Sequence, residues 1–207
     1  MGIVVLDISI SLDGFVRAAD PTPDEPLGVG GEHLHAWMAA DEESLQVLER
    51  AVADLGATIC GRTTYDDSIR WWGADGPSGP ARRPLFVVTH EAPSDSPANG
   101  VYTFVTGGIE AALDQARAAA GDGVVAVMGG ANLAQQYLKA GLVDEISLHL
   151  APVLFGSGMR LFDDLSGLTD LEPIEVLPGG GAVHLRYKIK NNLSRGLAGS
   201  TSEPATA

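Results

Sequence analysis

A glycine pair in the second half of the chain combines features that suit an anion. Gly129-Gly130 follows the apolar run Val124–Met128, which is typical of a buried strand, and precedes Ala131–Ala140, whose apolar residues have helical spacing. Glycine lacks a side chain, so a phosphate can come close to the main chain, and the N–H groups at a helix start favour negative charge. The alternative is that the pair only makes a tight turn between strand and helix.

A second segment, Gly61-Arg62-Thr63-Thr64-Tyr65, has the same arrangement. It follows the apolar run Ala57–Cys60 and is predicted to open a helix. A forked guanidinium, hydroxyl donors and free N–H groups are the groups that bind phosphate in proteins. The alternative interpretation is a helix N-cap with a surface arginine.

Other polar or reactive residues give weaker signals. Glu32-His33-x-His35 lacks a well-placed third metal ligand, so solvated or substrate-facing histidines are the favoured interpretation. Trp71-Trp72 is more typical of core packing, or of closure over an adenine edge, than of a stacking platform. Cys60, the only cysteine, has apolar neighbours and is predicted to be a small core residue rather than a catalytic thiol.

Strands and helices alternate through the first two thirds of the chain. Predicted strands cover residues 3–10, 57–60, 84–88, 101–105, 124–128, 145–154, 171–177 and 182–189, and predicted helices begin near 41, 61, 108 and 131. This pattern predicts an α/β fold, a three-layer sandwich with helices on both faces of a mostly parallel central sheet and antiparallel strands at its C-terminal end. The stretch Arg17–Ala36 has no periodicity and is typical of a lid or binding loop.

Three polar segments are predicted to lie on one rim of this sheet. Gly61-Arg62, Thr89-His90 and Gly129-Gly130 each follow a predicted strand directly. In open α/β sheets, ligands sit outside the carboxyl ends of the strands. The convergence of three such segments favours a ligand site over three unrelated turns.

Composition and charge exclude several classes of protein. The 207 residues carry a formal net charge of −14, which argues against nucleic acid and anionic membranes as partners. We expect a cytoplasmic protein, because the start lacks a signal-peptide pattern and a single cysteine fits a reducing compartment. Residues 1–190 are predicted to form one domain, and residues 191–207, which have little to bury, a disordered tail.

At the level of motifs, the chain resembles the dihydrofolate-reductase-like superfamily. The likeness is greatest to the C-terminal reductase domain of the bacterial riboflavin-biosynthesis deaminase/reductase (RibD) and its stand-alone relatives. Each motif is weak alone, but the ordered set is specific for the fold. The matching segments are Ser11-Leu12-Asp13-Gly14, Gly61-Arg62-Thr63-Thr64-Tyr65, Val127-Met128-Gly129-Gly130-Ala131, Gly141-Leu142-Val143-Asp144-Glu145, and Pro152-Val153-Leu154-Phe155-Gly156-Ser157-Gly158 with Leu161-Phe162.

The resemblance implies a binding site for NADPH. In the family the glycine pair contacts the pyrophosphate and often has a cis peptide between its members, and the Gly-Arg-x-Thr element contributes to the adenosine phosphates. His90 stands where relatives often have an arginine near the 2′-phosphate, and Arg82 or Arg83, at the opposite end of the strand, are weak substitutes. The residues implied to hold the cofactor are Gly61, Arg62, Thr63, Thr89, His90, Met128, Gly129, Gly130, Ala131, Asn132 and Leu133.

The resemblance also implies a carboxylate near the substrate. In dihydrofolate reductases a carboxylate on the first helix binds the pterin ring and assists protonation, and Asp41 and Asp13 are the candidates here. For Asp41 the alternative is helix capping, and for Asp13 an Asx turn. The paired cysteines of the zinc deaminase that accompanies the bifunctional riboflavin enzyme are absent from this sequence, so the chain is not that enzyme.

The leading hypothesis is therefore an NADPH-dependent reductase that passes hydride to a C=N or C=O group of a small heterocyclic, pterin-like or aminopyrimidine-like substrate. One alternative is a non-catalytic small-molecule or nucleotide binder on the same fold. A flavin-binding α/β protein is a third possibility. Relatives are often homodimers, so the resemblance also implies a homodimer.

Overall fold

The structure, a computed structural model, describes residues 2–163, 165 and 167–190. The described strands are β1 (Val4–Ser11), β2 (Phe15–Ala18), β3 (Leu55–Gly61), β4 (Leu85–Val88), β5 (Tyr102–Val105), β6 (Val124–Val127), β7 (Glu145–Ala151), β8 (Gly158–Arg160), β9 (Leu171–Pro178) and β10 (Val183–Ile189). The helices are α1 (Glu42–Asp54), α2 (Arg62–Trp72), α3 (Gly108–Ala120) and α4 (Ala131–Lys139). The predicted tail, residues 191–207, lies outside the described residues.

One large sheet has the described strand order β5-β4-β3-β6-β1-β7-β10-β9. All pairings from β5 to β7 are parallel, whereas β10 runs antiparallel to both β7 and β9. The parallel strands are joined by crossovers, and the last two strands are joined by a short hairpin turn around Gly179 to Gly181. The predicted mostly parallel sheet with antiparallel C-terminal strands is confirmed.

The two faces of the sheet differ in how tightly they are packed. On one face, alternate residues of β1 such as Val4 and Leu6 pack with the buried sides of α3 and α4. On the other face, Cys60 lies in a smaller cluster with Tyr65 of α2. Burial raises the pKa of the Cys60 thiol, which agrees with the predicted core role.

The sequence predictions missed a small second sheet. Phe15–Ala18 pairs antiparallel with Gly158–Arg160, so the stretch that was predicted to be an aperiodic loop begins in a strand. The same stretch then forms a 3-10 turn at Gly31–Leu34. Strands this short lack the periodicity that would identify them, because four and three residues are too few to show a clear alternation.

Candidate functional site

The carboxyl ends of β4, β3 and β6 lie side by side, which brings two of the predicted glycine segments into contact. The Gly61 N–H donates to the Gly129 carbonyl at 2.9 Å. Gly129 has φ 136° and the peptide that joins it to Gly130 is cis, as the resemblance implied. The positive φ at Gly129 favours glycine, and a Cβ added there would lie 3.3 Å from Thr64 Oγ1, which is a tight contact with a side-chain atom.

Two helices begin at this rim with their N–H groups directed outward. Gly61 is the N-cap of α2 and Gly130 is the N-cap of α4, and a glycine N-cap has no side chain to accept the first-turn N–H groups. Ala131 and Leu133 are buried, whereas Asn132 is exposed and its Oδ1 accepts from Gln136 Nε2 at 2.7 Å. The first turn of α4 is therefore fixed by packing and offers its amides to an anion.

Arg62 links the start of α2 to the segment after β4. Its Nε donates to both carboxylate oxygens of Asp66, at 2.7 and 2.8 Å, and its NH1 group donates to the Glu91 carbonyl at 2.9 Å. The hydrogen bond to Asp66 raises the pKa of the Arg62 guanidinium. Thr63 beside it is exposed. A phosphate that binds here must share the guanidinium with Asp66.

Thr89 and His90, which follow β4, differ in burial, and Arg82 lies before the start of that strand. Thr89 is buried, and its hydroxyl donates to the Glu91 carbonyl at 2.7 Å, so it shapes the turn. His90 is exposed. Arg82 pairs with Asp75 and donates to the Asn99 carbonyl at 2.7 Å, at the opposite end of β4 from the rim.

Both predicted carboxylates hold backbone amides. Asp13 accepts from the Ser11 hydroxyl at 2.6 Å and from the N–H groups of Phe155 and Gly156 at 3.2 and 2.7 Å; the Ser11 contact, followed by these amides, lowers the pKa of its carboxyl. Asp41 is the N-cap of α1 and accepts from the Ser44 N–H at 2.7 Å, which lowers the pKa of its carboxyl. The helix-capping interpretation of Asp41 is confirmed.

A cavity of about 390 Å³ lies between α1 and the sheet, and the sequence predictions did not find it. Only Ser44 among the residues of α1 is buried, and Leu45 is 45% exposed. Val47, Leu48, Ala51, Val52 and Leu55 instead line the cavity, across from Val5, Thr58, Val124, Ala126 and Met128 of the sheet. The apolar period of a helix that covers a cavity is the same as that of a helix that covers a core, so the sequence gives no sign of the difference.

A chain of polar side chains lies along one wall of this cavity. Asp7 of β1 lies next to His149 of β7, and His149 lies next to His184 of β10, which in turn approaches Ser44 at the start of α1. The ring of Trp37 packs on His149 with a centroid distance of 4.3 Å. Each of the three charged or titratable residues lies between two apolar residues of its strand, as in Leu-His-Leu of β7, and this was the available sequence signal.

A second, more open depression of about 460 Å³ lies beside the start of α4. Its lining includes Ala131, Asn132 and two arginines, Arg17 and Arg160. Arg17 pairs with Asp67 at 3.4 Å, and Arg160 donates to the Asp13 carbonyl at 3.0 Å. Both arginines come from the small second sheet, so the sequence predictions, which missed that sheet, also missed this source of positive charge.

The remaining predictions concern a metal and the tryptophan pair. No three His, Cys, Asp or Glu side chains within the described ranges are grouped so as to hold a metal ion. Trp71 is exposed, with the Arg70 guanidinium 3.9 Å above its ring, and Trp72 is partly buried against the Tyr65 cluster. Trp72 therefore has the predicted core role and Trp71 does not, while closure of Trp71 over an adenine edge stays a prediction.

Comparisons with known proteins agree with this fold and identify a family that matches most of the chain. The family described as RibD C-terminal domain matches residues 3–185. The uncharacterized protein YwjB of Bacillus subtilis (strain 168) is 27% identical over 183 residues, which cover 88% of this chain and 95% of YwjB.

Several solved structures are similar to this fold. A putative riboflavin biosynthesis protein from Shewanella sp. PV-4 has a TM-score of 0.66 at 21% identity, covering 92% of this chain and 100% of that one. Dihydrofolate reductase from Enterococcus faecalis, complexed with NADP(H), has a TM-score of 0.59 at 15% identity, covering 92% and 98%. The dihydrofolate-reductase-like fold predicted from the motifs is confirmed. None of the described helices has the length and apolar character needed to cross a membrane.

Proposed function

The chain belongs to the RibD C-terminal domain family, and from this premise we propose that it is an NADPH-dependent reductase of a small heterocycle of the pterin or aminopyrimidine type. The observation that carries the proposal is the position of Met128. This residue directly follows β6, between the strand and Gly129-Gly130, and also lines the cavity under α1. A nucleotide on the rim and a substrate in the cavity would therefore meet at the end of one strand.

The residues on the rim fit a dinucleotide. The first-turn amides of α4, the close backbone approach at Gly129 and the arginines beside α4 suit a pyrophosphate. Arg62 and His90 are the groups available to the adenosine phosphates. When bound, NADPH supplies the hydride, and the chain supplies orientation and a proton.

The cavity fits a flat heterocycle. Its walls are mostly apolar, and its polar groups are few and gathered on one side, which is the usual composition of a small-molecule site. The Thr58 side chain is 2% exposed, and its hydroxyl has no hydrogen-bond partner among the described residues. A ring nitrogen or carbonyl of the substrate would satisfy this hydroxyl.

We also propose that the protein is a homodimer in the cytoplasm. Strand β9 is the edge of the large sheet, and it presents Ile174 and Val176, which are 50% and 57% exposed. An exposed apolar edge strand supports pairing with a second copy.

The test is a screen of NADPH oxidation at 340 nm against dihydropterins, dihydrofolate and aminopyrimidine ribosyl phosphates. Turnover of one of these classes is expected. Binding of NADPH without oxidation across the whole panel would favour the non-catalytic binder, and a yellow purified protein would favour the flavin-binding alternative.

A further inference from the structure

We propose that Asp7, His149 and His184 form a proton relay along the wall of the cavity and that Asp7 delivers the proton to the bound substrate. This inference rests on the proposed reductase function for its chemistry, but not for its geometry. It assigns the proton donor to a residue on β1, in place of the predicted Asp13 and Asp41. The lining of the cavity includes Asp7 but neither of those two, within the part of the chain that the structure describes.

Strand register places the three side chains on one face of the sheet. His149 lies directly opposite His184 in the antiparallel pair of β7 and β10, and opposite Ser9 in the parallel pair of β1 and β7. Asp7 is two residues before Ser9, so it points to the same face as Ser9. All three side chains therefore reach the cavity beneath α1.

The hydrogen-bond distances connect the three groups in series. His149 Nε2 lies 3.0 Å from Asp7 Oδ1, and the Nδ1 atoms of His149 and His184 lie 2.8 Å apart. His184 Nε2 is 3.5 Å from Ser44 Oγ, at the limit of a hydrogen bond. Because the two Nδ1 atoms face each other, only one proton fits between them, so the two imidazoles can carry at most one positive charge together.

Such a pair stores one proton for each turnover. From a His184 imidazolium, the Nδ1 proton passes to His149 Nδ1 while the His149 Nε2 proton passes to the Asp7 carboxylate. Asp7 is then a neutral carboxylic acid and both imidazoles are neutral. The Asp7 O–H bond breaks as an N–H or O–H bond forms on the substrate atom next to the carbon that receives hydride, and water returns one proton to the pair after product release.

Trp37 holds the relay in place and keeps water from one side of it. It is 1% exposed, its Nε1–H donates to Ser9 Oγ at 2.9 Å, and its ring centroid lies 4.9 Å from that of His184. The Asp7 side chain is 28% exposed, whereas that of His149 is 6% exposed. The carboxyl is thus the member of the relay that meets the cavity.

The charged groups around the relay act in opposite directions. Burial, followed by the charge of His149, lowers the pKa of His184 below its ordinary value of 6.5, while Asp41, Asp7 and Glu175 act to raise it. His35 is a further titratable group on the cavity wall. Because the relay works in its protonated form, we expect the rate of hydride transfer to fall as pH rises through the titration of the pair.

The experiment combines a rate profile with a measurement that needs no substrate. In Asp7→Asn we expect single-turnover hydride transfer to fall about 100-fold, with NADPH affinity unchanged within about twofold. His184→Gln should remove the pH dependence of the rate, and His33→Gln, which changes an exposed histidine that does not line the cavity, should not. Thermal melts of each variant check that it is folded.

Nitrogen-15 NMR of the imidazoles in the free protein gives the second readout. We expect the two imidazoles to take up no more than one proton between them as the pH is lowered, and Asp7→Asn to make that uptake less favourable, because it removes the anion next to His149. Independent titration of both rings to imidazolium, or an Asp7→Asn enzyme with the parent rate, overturns the relay. Failure to oxidise NADPH with any compound refutes the proposed function instead, and leaves the NMR result as the test of the relay.

Discussion

At the scale of single residues, the proposed site depends on a glycine whose backbone angle would strain any other residue. Gly129 combines φ 136° with a distance of 3.3 Å from an added Cβ to Thr64 Oγ1. Gly129→Val is therefore expected to abolish measurable NADPH binding. Isothermal titration calorimetry measures the affinity.

The matched control is Gly121→Ala, at the end of α3. This glycine also has a positive φ, 60°, but an added Cβ there meets open space. Its NADPH affinity should stay within about twofold of the parent, since the added backbone strain lowers the stability of the fold by about 1–3 kcal/mol but does not touch the rim. Parent-like NADPH affinity in Gly129→Val would remove the glycine pair from the site.

Arg62 supports a second prediction at this scale. Arg62→Ala should weaken NADPH by about tenfold, the loss of one charge-assisted hydrogen bond at a partly exposed site, and NADH by less. Asp66→Asn keeps the guanidinium and removes the anion that competes for it, so NADPH binding should be equal or tighter. Equal losses for the two nucleotides in Arg62→Ala would show that Arg62 only braces α2 against the segment after β4.

At the scale of elements, α1 differs from the other helices because it covers a cavity. Leu48→Ala is expected to cost less than about 1 kcal/mol of unfolding free energy, since Leu48 already faces space. Leu113→Ala in α3, where Leu113 is 2% exposed in the main core, should cost about 2–5 kcal/mol. Urea unfolding measures both, and equal costs would mean that α1 packs as tightly as α3.

At the scale of elements, local patterns could be predicted from the sequence, but contacts between distant segments could not. The alternation of strands and helices, the glycine segments after β3 and β6, and the capping role of Asp41 are local patterns, and they were predictable. The cavity under α1, the His149–His184 contact and the approach of β2 to β8 each depend on segments far apart in the chain. Periodicity reports which face of an element is apolar, but not what that face meets.

At the scale of the whole molecule, the exposed edge strand β9 leads to a prediction about the oligomeric state. Alternation along the strand directs Ile174 and Val176 to one face, while Glu175 points toward α1 and pairs with Arg50. Ile174→Lys combined with Val176→Lys is expected to turn a dimer into a monomer in sedimentation velocity runs. Ala119→Lys, on the exposed side of α3, adds a lysine away from the edge and should leave the dimer intact. A parent protein that is already monomeric at micromolar concentration would contradict the proposed dimer.

The net negative charge of the whole chain also limits where an anionic nucleotide can bind. The chain carries a formal net charge of −14, so an anionic dinucleotide must find local positive charge. The rim provides it through Arg62, the start of α4 and the depression lined by Arg17 and Arg160. Nucleotide affinity should therefore fall as salt increases, because exposed guanidinium–phosphate contacts are screened.

Titration of the pure protein with NADPH and with NADH tests the central claim most directly. Nicotinamide fluorescence and calorimetric heat would follow the same samples. We expect micromolar binding of NADPH and much weaker binding of NADH, because Arg62, His90 and the start of α4 would surround the phosphates on one rim. Absence of binding for both nucleotides would contradict a dinucleotide site at the rim, and the glycine pair would then be only a turn between β6 and α4.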